Sequence, residues 1–364
     1  MQTEEKKIVE KICEIPVTLD DISECIFGGV STKNTLMHRL LLPEEDDFGL
    51  FYLCEGLCKP VFSEPEIVYP FASGDFSGKF ALNSLPYRFL LPYDLYDKGE
   101  KKESRIIPPD ELKRRFPQAY NRILEYKNQF LHDTSPLDSD DYSIIGEHLL
   151  EYLYTPKIVA TEGFHIQAAY DSVGNYVFEN GCGIVLKEPD KYPYVTAVLN
   201  SPIVRLFPAL CRSELIFENY TSPSVIGFFP IVFPDKKLTE ELINTISSYL
   251  VFLNKQIYTL QMYSGYSGVP QWMLDLASFY EQTSNLLVLD SYFINDLDPK
   301  LQAALEENIH PCAADPEAED SDSLLGSLYY IKQKILETSK IGKHRFNMEG
   351  LKHSMYKIEY EYIH

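Results

Sequence analysis

From about residue 25 to about 235 the apolar residues come in short runs broken by Gly, Pro and Asp, a pattern of short strands and turns. Positions 66–69, 176–179, 183–186 and 226–233 read as strands of this kind. A polar lead-in and a first strand at 15–19 precede them. The turn-rich stretch 171–175 between apolar 168–170 and 176–178 predicts a hairpin. One helix interrupts this half, from about 110 to 131, because Leu112, Phe116, Tyr120, Ile123, Leu124 and Lys127 recur at helical spacing. Pro117 lies inside that span, which predicts a separate short helix before it.

The pattern then changes period. Leu238, Leu242, Ile243, Ile246, Leu250, Leu253, Ile257 and Leu260 keep a three–four spacing behind Thr239-Glu240-Glu241, a long amphipathic helix. Residues 265–268 break it, and a second helix is expected over 273–289. The acid-, Pro- and Ala-rich stretch 310–323 reads as a linker, and the tail beyond Leu324 turns basic. The expected class is α+β, in three units. These are a β-rich 1–235 with an inserted helix, a helical 236–310, and an acidic linker with a basic helical tail over 311–364.

Composition narrows the function classes. Aromatics make up 13% of the chain, with 26 Tyr and 21 Phe against one Trp. Tyr suits both strands and binding surfaces. No stretch of about 18 apolar residues occurs, so no membrane partner is expected. The seven cysteines are scattered. Only Cys54 and Cys58 are close, and a zinc site needs a second ligand pair that the sequence lacks. Thiols are therefore expected, in a reducing compartment, the cytoplasm, and neither a metal nor another cofactor. The formal charge of −21 opposes nonspecific attraction to a polyanion. A nucleic-acid partner would have to meet local positive charge.

A series of phrases runs in one order along the chain. They are Phe27-Gly28-Gly29-Val30-Ser31-Thr32-Lys33-Asn34, then Tyr87-Arg88-Phe89-Leu90-Leu91-Pro92-Tyr93-Asp94, then Phe116-Pro117-Gln118-Ala119-Tyr120. Pro156-Lys157-Ile158-Val159 and Val198-Leu199-Asn200-Ser201-Pro202 follow. In this order they resemble the TaqI-like C-terminal specificity region of type IIG restriction–modification enzymes and related adenine-N6 DNA methyltransferases. Leu286 to Phe293 looks like that family's closing helix, with Ser291 where the pattern has Leu. The resemblance covers roughly 24–310. It implies a non-catalytic target-recognition domain that selects the DNA sequence to be methylated. Double-stranded DNA would be one partner, and a methyltransferase or restriction subunit another.

The residues that suit such a role are Ser31, Thr32, Lys33 and Asn34 behind the Gly28-Gly29 turn, and Ser73 and Lys79 near a small-residue turn. Arg88, Asn200 and a basic loop of Lys98, Lys101, Lys102 and Arg105 complete the set. Lys and Arg suit phosphates, and Asn or Arg suits base edges. Each has a plainer reading as well. Gly28-Gly29 more often serves simply as a turn, Asn200 equally as a helix cap, and the basic loop is diluted by Glu100, Glu103, Asp110 and Glu111.

Catalytic motifs are not legible. The one Pro-Pro, at 108–109, lacks the flanks of an adenine-methylase motif, and no phosphate-binding loop occurs. Adjacent Asp110 and Glu111 suit a helix start better than a nuclease metal site. Two readings follow. In the first, the chain recognises a DNA sequence on behalf of a separate or formerly fused methyltransferase or nuclease. In the second, it is an acidic protein-interaction module on the same fold. Convergence of the glycine loop, Arg88 and the 98–122 cations on one positive cleft would favour the first.

Overall fold

Two segments, Lys157–Thr161 and Gly181–Leu186, are buried at every position. A strand with one face in water alternates, so these strands must be covered on both faces. The computed structural model describes residues 11–12, 14–33, 35–41, 44–46, 49–53, 60–61, 63–72, 78–82, 87–99, 101–146, 148–161, 166–206, 222–265, 268–294, 299–310 and 321–339. It is an α+β protein, and it shows what the two coverings are.

The longer helices are α1 (Pro109–Arg115), α2 (Pro117–Phe130), α3 (Tyr192–Asn200), α4 (Lys237–Ser264), α5 (Gln271–Leu289), α6 (Pro299–Asn308) and α7 (Ser321–Ser339). The strands of the two large sheets and of a separate ribbon begin with β1 (Ser23–Gly28), β2 (Arg39–Leu41), β3 (Val68–Ala72), β4 (Tyr87–Leu90), β5 (Tyr93–Lys98) and β6 (Lys101–Ile106). They end with β7 (Lys157–Thr161), β8 (Ala168–Asp171), β9 (Val177–Phe178) and β10 (Gly181–Leu186).

An antiparallel sheet of order β1-β10-β7-β8 lies at the centre. One face, including Ile158, Ala160, Cys182 and Ile184, packs against α3 and shares one apolar core with helices α4 to α7 behind it. The other, including Phe27, Val159 and Val185, packs against a second sheet of order β9-β3-β4-β2. That sheet is also covered twice. Phe71 and Phe89 face the first sheet, while Leu40 and Leu90 face α1 and α2 through Leu112, Phe116 and Ile123. The result is four layers, helices–sheet–sheet–helices.

Loop residue Phe80 joins the central sheet by its main chain. Its N–H donates to Ala168 O (2.8 Å) and its carbonyl accepts from Tyr170 N (3.0 Å), so it lies alongside edge strand β8.

Buried charge pins the layers. The Lys157 ammonium pairs with Asp171 Oδ2 at 3.0 Å and also donates to the Gly174 carbonyl. Asp171 accepts from Gly174 N (2.7 Å) and Tyr176 N (3.1 Å). This knot is why the hairpin expected around 171–175 does not form. The carboxylate gathers the turn onto itself, β8 pairs with β7, and β9 runs parallel to β3. Gly174 sits at φ 79°, and a Cβ there would meet Thr155 O at 2.2 Å.

Other expectations divide. Helices at 237–264 and 271–289 form as the periodicity predicts, and the first ends at Gly265, φ 69°. Pro117 does separate two helices, with Phe116 between them. The first strand expected at 15–19 is instead a helical turn, Leu19–Ile22, begun by a Thr18–Asp21 capping box, and strand structure starts at Ser23. The strand expected at 226–233 is a helical turn, Pro223–Ile226, followed by an isolated bridge from Pro230 to Thr18. Pro230 has no N–H to give a ladder.

The boundary expected near 235 does not divide the core either. Phe229 and Ile231 before it and Leu242, Ile246 and Leu250 after it belong to one apolar cluster with the central sheet. The expected linker residues 311–320 and tail residues 340–364 lie outside the described residues.

Candidate nucleic-acid interface

The basic stretch expected as a loop is a hairpin. β5 and β6 pair with each other in register Tyr93↔Ile106 to Lys98↔Lys101, which leaves a two-residue connection opened by Gly99 at φ 67°. Gly supplies that backbone angle without strain. The foot of this ribbon is buried at Tyr93, and the outer end of β5 is exposed at Tyr96 (47% exposed), Asp97 and Lys98. Lys98, Lys101, Lys102 and Arg105 all lie on it.

The ribbon carries matched charge. Lys102 pairs with Asp97 directly across the strands, and Lys98 reaches Glu103 at 2.5 Å. Arg105 and Arg115 share Asp94 (2.7 and 2.8 Å) and Glu111 (3.1 and 2.9 Å). The hydrogen bond from Arg115, with help from Arg105, holds the Asp94 carboxyl below its usual pKa against a partial burial penalty. Glu111 thus serves as a first-turn acid of α1, the plain reading of Asp110-Glu111. Lys113 and Arg114 stay exposed on the same helix. The Lys102 ammonium also stands 5.6 Å from the ring centre of Tyr154, itself half exposed.

The glycine phrase meets this ribbon at its foot. Ser31 and Thr32 pair antiparallel with Ile145 and Ile144, and the Ile144 N–H donates to the Tyr93 hydroxyl (3.0 Å). Lys33 is exposed beside them and donates to Asp140 O (3.4 Å). Exposed Ile145 completes the patch. Gly29 itself is packing: a Cβ there would lie 2.6 Å from Phe178 O, and Val30 N donates to that carbonyl, whereas a Cβ at Gly28 would only touch Pro223 at 3.8 Å.

Other candidates are placed elsewhere. Asn200 is buried and spends its amide on Ala168 N, Ala168 O and Thr196 O (3.1, 2.6 and 2.9 Å), tying α3 to β8. Its role is internal, so it leaves the interface set. Lys79 pairs with Glu281 of α5 at 2.6 Å, on the helical side. Arg88 donates to Tyr87 O (3.0 Å) and is half-buried on β4. Arg122, from the same basic stretch, is buried and holds Met37 O and Arg39 O. Asn34 and Ser73 lie outside the described residues, as does the side chain of Lys101.

Compared with models of protein families and with curated proteins, the sequence gives no match. The ordered phrases alone carry the family resemblance. Cys25 and Cys182 are thiols, and the other five cysteines lie outside the described residues. Among the described residues no three His, Cys, Asp or Glu side chains gather as a metal site, and no helix is long and apolar enough to cross a membrane.

Tyr96, Tyr154 and Ile145 were not singled out by the sequence. Tyr in a strand is usually buried on one face, and only the folded ribbon distinguishes the exposed ones.

Proposed function

We propose that this chain is a DNA sequence-recognition module, serving a separate adenine methyltransferase or nuclease polypeptide in a restriction–modification system. One observation carries the reading. Four of the cations picked from sequence lie on a single two-stranded ribbon whose foot is joined to the Ser31–Thr32 segment. A two-stranded ribbon is of the width that the DNA major groove admits. The cations would hold phosphates, and exposed Tyr96 and the Ser31–Lys33 turn would approach base edges. The ion pairs of Lys98 and Arg105 are solvent-exposed at the cation. Exposed pairs of this kind are screened by water and contribute little, so phosphate can replace their carboxylates readily.

The matched charge supports a second reading, an acidic protein-interaction module. Lys98, Lys102 and Arg105 each already have a carboxylate, and the whole chain is strongly negative.

Selection from a randomised duplex pool across a salt series separates the two, run with and without the methyltransferase encoded nearest to this gene. Enrichment of a short motif, with affinity falling as salt rises, is expected. The triple substitution K98Q/K102Q/R105Q should then weaken binding at least about tenfold and flatten the log–log salt slope by about 2 to 3. Absence of enrichment in both conditions would shift the assignment to the protein-interaction module.

A further inference from the structure

Between α5 and α7 runs a surface groove of about 480 Å³ lined by Trp272, Asp322, Leu325, Gly326 and Tyr329. Trp272 is 43% exposed and Tyr329 45%. Two large aromatic side chains thus stand half in water on either side of a carboxylate. Gly326 carries no side chain into the groove, which leaves it open along α7.

The same seam shows what it accepts. One helical turn beyond Trp272 stands Asp275, and one turn beyond Tyr329 stands Lys332. There the Lys332 ammonium donates to Asp275 O (3.2 Å) and lies 5.6 Å from the ring centre of Phe279. Lys334 of α7 stands over Tyr330 in the same way at 5.5 Å. In the groove aromatic rings stand again, now with the carboxylate of Asp322 beside them, but no cation among the described residues does. Among the described residues no cation stands over Trp272 or Tyr329, and none pairs with Asp322.

We propose that this groove binds an arginine side chain from a basic segment of a partner protein, with its guanidinium against Trp272 and Tyr329 and its charge met by Asp322. Trp is the strongest cation–π acceptor, and a planar guanidinium also stacks on a ring, so Arg gains more here than Lys. The chain's charge of −21 attracts basic segments in general, and the groove supplies the specific seat. The site lies on the helical layer and does not depend on the ribbon's role.

Trp272 is the only Trp in the chain, so tryptophan emission, excited at the red edge of its band to spare the 26 Tyr, reports on this groove. The experiment titrates the full chain with a capped hexa-arginine peptide, and in parallel with its citrulline counterpart, which keeps shape and loses charge. A saturable change in emission with arginine and none with citrulline is expected. D322N should weaken binding about threefold to tenfold. Anisotropy of a labelled peptide should show a comparable loss for Tyr329→Leu and Trp272→Leu, with circular dichroism unchanged. Equal binding of the citrulline peptide, or full binding to all three variants, would overturn the site and leave an apolar groove or diffuse surface charge. A concentration-dependent emission change without peptide, matched by dimer in sedimentation, would assign the groove to a second copy and overturn it as well.

Discussion

His38 is buried, its Nδ1 lies 2.7 Å from Leu90 O, and its ring stacks on Phe89. Burial takes its pKa from the ordinary 6.5 down to about 4. A group with a depressed folded pKa binds its proton more readily in the unfolded chain. The native state therefore loses stability as pH falls through that interval, by up to about 3 kcal/mol near pH 4, and keeps all of it above pH 6.5. Urea unfolding at several pH values should show this slope, and His38→Gln should flatten it; an unchanged slope would assign the acid sensitivity to other groups.

Lys157 offers a second test at the same scale. Burial pulls its ammonium below the ordinary pKa, against the raising effect of Asp171. Lys157→Met should cost about 3 to 5 kcal/mol by leaving that carboxylate buried without its cation. The double substitution Lys157→Met/Asp171→Asn should be less damaging than the single one, because no charge is left buried and the amide oxygen can still accept from Gly174 N. If the two lose equally in urea, the uncompensated charge is not the cause.

At the scale of elements, legibility followed the period. Helices α4 and α5 were plain because one face is wet and the other dry, and Pro117 marked its boundary correctly. Of helix α3 only the end was legible, at Asn200 read as a cap, for the opposite reason. Only Pro193 among its residues is not buried, so no polar face interrupts the apolar run and no period shows. The ribbon β5–β6 was hidden by its charges, which alternate in sign across the strands rather than between water and core. Asn200 was misjudged because a buried amide and an exposed one are the same letter; only its bonds to Ala168 and Thr196 tell them apart.

At the scale of the molecule, the helical layer and the central sheet share one core. Ser247 Oγ donates to Pro193 O (3.0 Å), and Lys191 pairs with Glu240 (2.7 Å) across the expected domain boundary. The molecule should therefore unfold as one cooperative unit. Trp272 emission, which reports α5, and far-ultraviolet circular dichroism, which reports all layers, should give coincident urea transitions. An earlier Trp transition would restore the three-unit organisation that the sequence suggested. That organisation was drawn from a change of period along the chain, and a change of period says nothing about whether two segments bury against each other.

Phe80 has one further consequence. Strand β8 ends the central sheet, and a terminal strand ordinarily exposes donors and acceptors on which a neighbouring chain can build. By spending Ala168 O and Tyr170 N on a single residue from a distant loop, the fold closes that row against strangers. Copies of this protein crowded together can touch along this border through side chains, but they cannot continue the sheet across it.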